Sequence, residues 1–161
     1  MVFNIDVIVS DDLNERSTPL IFMVKLSPNV TDIGEMAKAC EAEGADAISM
    51  VNTFQGMAID VKKRKAVFDH IYAGLSGPAI KPLALRMVHQ VAKAVKIPVV
   101  GLGGIMDTED AIAFLMAGAT AVQLGTGHFV NPRLGKEVVE GLEAYCEMEG
   151  LHQIGEIRGI V

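Results

Sequence analysis

The 161 residues are 50% hydrophobic and 21% charged, a balance that excludes a disordered chain and supplies enough apolar surface for one core. Fourteen Lys and Arg against twenty Asp and Glu leave a net charge of -6, the wrong sign for a surface that neutralises a phosphate backbone, so nucleic acid is not an expected partner. No apolar run reaches the roughly 18 residues that cross a bilayer, and the chain carries two cysteines and no basic, apolar leader, so the expectation is a soluble cytoplasmic protein with reduced thiols and a chance sequon at Asn29-Val30-Thr31.

The first 18 residues differ from the rest. Phe3, Ile5, Val7 and Val9 alternate with Asn4, Asp6 and Ile8, which predicts a strand over Val2 to Val9, followed by a polar turn from Asp11 to Ser17. From residue 19 to 161 the chain reads as one domain. Leu20 to Leu26, Ala47 to Val51, Ile97 to Leu102 and Ala121 to Leu124 are short, nearly all apolar and bounded by Gly, Pro or Asn, the pattern of parallel strands covered on both faces. Helices are predicted between and after them. One opens at Thr31-Asp32 and ends at Gly44. A second has Pro82 in its first turn and runs to Val95. A third is capped by Asp107 or Thr108 and ends at Gly118, and a fourth covers Leu134 to Glu149.

Gly44-Ala45-Asp46-Ala47-Ile48 is echoed two strand-helix units later by Gly118-Ala119-Thr120-Ala121-Val122, which sets about 37 residues to the unit. The fold class is therefore α/β, four βα units amounting to the C-terminal half of a (βα)8 barrel, plus an extra N-terminal strand; a whole barrel takes about 250 residues. Leu20 to Leu26 and Ala121 to Leu124 are the expected edge strands. Being almost wholly apolar, they predict pairing with another copy, a homo-oligomer.

Ligands of βα folds sit at the carboxyl ends of the strands. Gly103-Gly104 and Gly125-Thr126 follow the last two strands, where backbone N–H groups hold a phosphate if side chains do not block the approach; the alternative is an ordinary tight βα turn. Met106 stands where a third glycine would complete G-x-G-x-x-G, which disfavours a dinucleotide fingerprint. Lys25, embedded in Ile21-Phe22-Met23-Val24, meets an anion or an electron-rich ring, or else snorkels from a strand end.

Five motifs in register, Val24-Lys25-Leu26-Ser27-Pro28-Asn29, Val51-Asn52-Thr53-Phe54-Gln55-Gly56, Gly74-Leu75-Ser76-Gly77-Pro78, Gly101-Leu102-Gly103-Gly104-Ile105 and Gln123-Leu124-Gly125-Thr126, resemble the C-terminal half of class 1 dihydroorotate dehydrogenase, and the 1B catalytic subunit more than 1A. The resemblance runs from Pro19 to the C-terminus. It implies FMN as cofactor, with Lys25 and Val51 against the flavin and Gly77, Gly103, Gly104, Gly125 and Thr126 around its ribityl chain and phosphate. Asn52 and Thr53 would bind dihydroorotate or orotate. It also implies a partner, an iron–sulfur and FAD subunit that passes electrons to NAD.

The family's base is a cysteine upstream of these motifs, flanked by asparagines. Cys40 and Cys146 fall inside predicted outer helices, so no catalytic residue is assigned and the chain reads as truncated. The rival reading is a non-catalytic half barrel that keeps a flavin or phosphate scaffold. Ala73 also replaces the family's usual Gly. The four histidines and two cysteines share no ligand spacing, so no metal is expected, and Lys62-Lys63-Arg64-Lys65 reads as a solvated stretch.

Overall fold

A computed structural model describes residues 6–9, as a strand backbone, and residues 21–161. In chain order the elements begin with β1 (Asp6–Val9), β2 (Phe22–Leu26), α1 (Ile33–Ala42) and β3 (Ala47–Met50). An excursion follows, built from β4 (Phe54–Met57), β5 (Ile59–Asp60), β6 (Lys65–Ala66) and β7 (Tyr72–Leu75). The chain then resumes with α2 (Lys81–Ala94), β8 (Val99–Leu102), α3 (Thr108–Met116) and β9 (Ala121–Gln123), and closes on the short α4 (Gly127–Val130) and α5 (Leu134–Glu149).

The helix starts follow local chemistry. Asp32 is extended at φ -136° and its carboxylate accepts from the Glu35 N–H at 3.1 Å, which opens α1. Of the two candidates for the third helix, Asp107 is the cap: it is extended, and accepts from the Asp110 N–H at 2.9 Å. Gly150, at φ 67°, ends α5 in the left-handed conformation.

The main sheet has the order β1-β2-β3-β8-β9, with β2, β3, β8 and β9 parallel and β1 antiparallel to β2. This is the α/β half-barrel architecture expected from the four apolar runs. Because strand side chains alternate, Val24, Leu26, Ile48, Met50 and Val99 point one way, into a core with Ile33, Ala37, Val88, Val91 and Phe114 of the helices. Lys25 and Ser49, register partners, belong to the other face. There the buried Ser49 hydroxyl donates to Gln123 Oε1 at 3.1 Å.

Two expectations are corrected. The first apolar run is not an edge: β1 pairs with it, Val7 opposite Val24, and the edges of the described sheet are β1 and β9. The strands are shorter than the apolar runs, because Val51, Ile97, Pro98 and Leu124 lie beyond the ladder although Ile48 N–H still donates to the Pro98 carbonyl at 2.9 Å. The stretch before Gly74 carries short pairings that the sequence did not indicate, β4 with β7 and β5 with β6, both antiparallel, while Lys62, Lys63, Arg64 and Lys65 are exposed as expected of a solvated stretch. Residues 2–5 of the predicted N-terminal strand and the turn at 11–17 lie outside the described residues. Among the described residues no helix is long and apolar enough to cross a membrane.

Candidate active site

The loops at the carboxyl ends of the strands converge on one cavity of about 290 Å³. Lys25 reaches it from β2, half-buried, and Val51, Asn52 and Thr53 from the chain just past β3, where the Met50–Val51 peptide is cis. The end of β7 brings Ser76 and Gly77. Past β8 come Gly103, Gly104 and Ile105, and past β9 come Gly125, Thr126 and Gly127, with Gln123 at the strand end itself. Phe129 of α4 stands at the rim, 92% exposed.

The glycines have separate physical reasons. Gly104 has φ 80°, and a Cβ there would lie 2.7 Å from the Gly77 carbonyl oxygen and 2.9 Å from the Lys81 nitrogen, so the two loops pack backbone against backbone. A Cβ on Gly125 would meet nothing within 4 Å, which leaves that side of the cavity open to a ligand. Thr126 Oγ1 donates to Ser76 Oγ at 2.9 Å and ties the last loop to the one after β7.

Behind this wall lies the buried carboxylate of Asp110. One oxygen accepts from the Met106 N–H at 2.9 Å and the other pairs with the Lys81 ammonium, so the loop from Gly103 to Met106 is held against the start of α2. The hydrogen bond to Asp110 raises the pKa of Lys81 above its ordinary 10.5.

A second cavity of about 220 Å³ adjoins the first and shares Asn52 and Thr53 with it. Ser27, Asn29, Gln55 and Tyr72 give it a polar lining. Among the described residues, no Cys, His, Asp or Glu lines either cavity. Cys40 is half-buried in α1 and Cys146 in α5, both free, and burial pushes the Cys40 thiol up, the opposite of an activated nucleophile.

The donor set matches an amphiphilic anion. Val51, Ile80, Leu102 and Ile105 offer apolar surface to a ring, Lys25 a positive charge, and the glycine loops backbone close to a phosphate. FMN fits this division of apolar and anionic contacts. The volume is near the lower end of small-ligand pockets, so part of a flavin would stand outside it.

The sequence pattern of the dihydroorotate dehydrogenase family matches residues 2–146. The chain belongs to that family. It is 58% identical over 143 residues to the catalytic subunit of dihydroorotate dehydrogenase B (NAD(+)) from Petrotoga mobilis, covering 89% of this chain and 47% of the relative. The same subunit from Trichlorobacter lovleyi is 57% identical over 143 residues, again covering 89% and 47%, and that from Alkaliphilus oremlandii is 59% identical over 141 residues, covering 88% and 46%. The chain spans about half the length of the curated relatives it matches.

Lys25, Val51, Asn52, Thr53, Gly77, Gly103, Gly104, Gly125 and Thr126, selected from the sequence of this dihydroorotate dehydrogenase family member, all line the first cavity. Sequence reasoning missed Ser76, Ile80, Ile105, Gln123 and Phe129. Ser76 and Gln123 stood within the matched motifs as polar residues at strand ends and were legible there. Ile80 and Phe129 carried no local signal, since one is an ordinary buried helix-start residue and the other belongs to a four-residue helix. The Lys81–Asp110 pair joins residues distant in sequence and had none either.

Proposed function

We propose that the chain supplies the FMN-holding half of a dihydroorotate dehydrogenase barrel, serving oxidation of dihydroorotate to orotate in pyrimidine biosynthesis. The observation that carries this reading is the gathering of the nine residues assigned a binding role from the motifs around one cavity at the strand ends. FMN, when bound, supplies the two-electron acceptor. Lys25 would offset negative charge beside the ring, and Val51 would pack on it. The loops at Gly77, Gly103-Gly104 and Gly125-Thr126 would hold the phosphate through backbone N–H groups. Asn52 and Thr53, shared by both cavities, would hydrogen-bond the substrate ring.

Removing a proton from dihydroorotate needs a positioned base, an effect that typically contributes about 10² to 10⁴ in rate. Among the described residues, those lining the two cavities offer no carboxylate, imidazole or thiol for it. The chain alone therefore binds FMN, more weakly than a whole barrel, without turning over. Quenching of FMN fluorescence tests the site. No quenching at millimolar protein rejects it, and an equal response to riboflavin rejects the phosphate anchor. Bleaching of bound flavin within seconds of adding dihydroorotate anaerobically rejects the absence of turnover.

The names of the relatives as catalytic subunits favour a partner, which we read as an iron–sulfur and FAD subunit delivering electrons to NAD. An acidic chain with free thiols suits the cytoplasm. The edge strands β1 and β9 favour pairing with a second copy. Sedimentation at micromolar concentration is expected to give a species heavier than 17.2 kDa, and a clean monomer removes the idea.

A further inference from the structure

The loop after β2 grips the loop after β3 through one side chain. Asn29 Nδ2 donates to the Thr53 carbonyl at 2.9 Å, and the Gln55 N–H donates to Asn29 Oδ1 at 2.9 Å. The orientation of this amide is fixed by its partners, because a carbonyl only accepts and an N–H only donates. The contact is the one a neighbouring strand would make, with a single side chain meeting the acceptor and the donor of an extended segment. Ser27 Oγ holds the gripping residue in turn, accepting from Asn29 Nδ2 at 3.2 Å and from Asn29 N at 3.3 Å.

The gripped segment begins next to Asn52. Its first residue, Thr53, is also bounded from behind: a Cβ on Gly74 of β7 would come within 2.9 Å of Thr53 Cβ, so Thr53 is packed on one side and hydrogen-bonded through its carbonyl on the other. The Thr53 N–H, for its part, donates to Asn52 Oδ1 at 2.8 Å. Asn29 thus acts on the one stretch of chain that both cavities share, from the polar side.

We infer that Asn29 is a positioning residue, holding Asn52 and Thr53 at the height where they meet a flat, amide-bearing ring in the polar cavity. This rests on reading Asn52 and Thr53 as substrate-binding. Asn29→Ala removes both bonds. Asn29→Asp is the sharper probe, because an ionised carboxylate still accepts from Gln55 N–H yet faces the Thr53 carbonyl without a donor. Protonation restores the donor, so the grip returns as pH falls through the pKa of the introduced carboxyl, ordinarily about 3.9 and pushed upward by the facing carbonyl.

The experiment has two arms, each on the full chain. In the first, without ligand, amide exchange at Gln55 is followed by NMR. Asn29→Ala is expected to speed it about tenfold or more, with exchange in α3 unchanged, and exchange within twofold of the unmodified chain overturns the inference. In the second, orotate is titrated into FMN-saturated protein and read by the flavin spectrum. Asn29→Ala is expected to weaken orotate about tenfold with FMN affinity within twofold. Asn29→Asp is expected to begin recovering orotate affinity as pH falls from about 7 toward about 4, while the unmodified chain stays flat. A residue with a merely structural role would lower stability in both variants and show no such recovery. Equal orotate affinity with and without Asn29 overturns the positioning role alone, whereas an unmodified chain that binds FMN but is blind to orotate overturns the substrate reading and the inference with it.

Discussion

The parallel layer and the excursion between β3 and α2 are both rich in apolar residues and fold by different means. In the layer, Ile48, Met50, Val88 and Phe114 are fully buried between strands and helices. In the excursion, Met57, Ile59, Val67 and Tyr72 stand exposed, and Val61 is 81% exposed. Hydrophobic content is therefore not what separates them. The layer is specified by coverage on the helical face, whereas the excursion depends on short antiparallel pairings whose partners are close in sequence.

The contrast breaks most visibly at two phenylalanines. Phe114→Ala is expected to cost about 3–5 kcal/mol, since its ring is wholly enclosed by the core, while Phe68→Ala is expected to stay within about 0.5 kcal/mol. Urea unfolding followed by circular dichroism measures both, and similar losses at the two sites would erase the distinction.

A smaller effect separates scaffold glycine from site glycine. Gly104→Ala forces a Cβ against the Gly77 carbonyl and is expected to lose about 1–3 kcal/mol of stability. Gly125→Ala meets nothing, so its stability is expected to move by less than about 0.5 kcal/mol while FMN binding weakens about tenfold, as fluorescence titration would show.

The smallest effect concerns pH. The raised pKa of Lys81 means that its pairing with Asp110 stabilises the fold fully below pH 10.5 and is lost as pH rises through the folded value. Lys81→Met is expected to flatten the alkaline end of the stability profile. The change is modest because the Lys81 side chain remains 41% exposed and screened by solvent. Thermal unfolding between pH 8 and 11.5 checks it, and parallel curves for the two proteins would deny the pair any part in stability.

What was legible in the sequence follows the same division. Continuous apolar runs betray strands buried in a parallel sheet, and residues such as Asp32, Gly44 and Gly118 mark helix ends because the chemistry that stops a helix is local. The pairing of β1 with β2 was hidden, since nothing in Leu20 to Leu26 says which neighbour takes its free side. The excursion was hidden because two-residue ladders such as Ile59–Asp60 with Lys65–Ala66 are too short for a period to emerge. At the site, residues in the glycine and lysine motifs could be named in advance. Asp110 could not, because its role comes from a lysine on another helix, and Asn29 was visible as a motif letter without its work.

The bond from Ser49 to Gln123 has a geometric meaning. It joins β3 to β9 over the intervening β8, and two strands so separated lie about 9.6 Å apart in a flat sheet. Side chains standing upright on a plane would not close that gap, whereas on the inside of an arc they converge. The bond is a tie across β8 that resists spreading of the two outer strands. Lengthening or deleting it, as in Ser49→Ala, would let the arc open and carry Lys25 on one limb away from Thr126 on the other, widening the mouth without touching a residue at its rim.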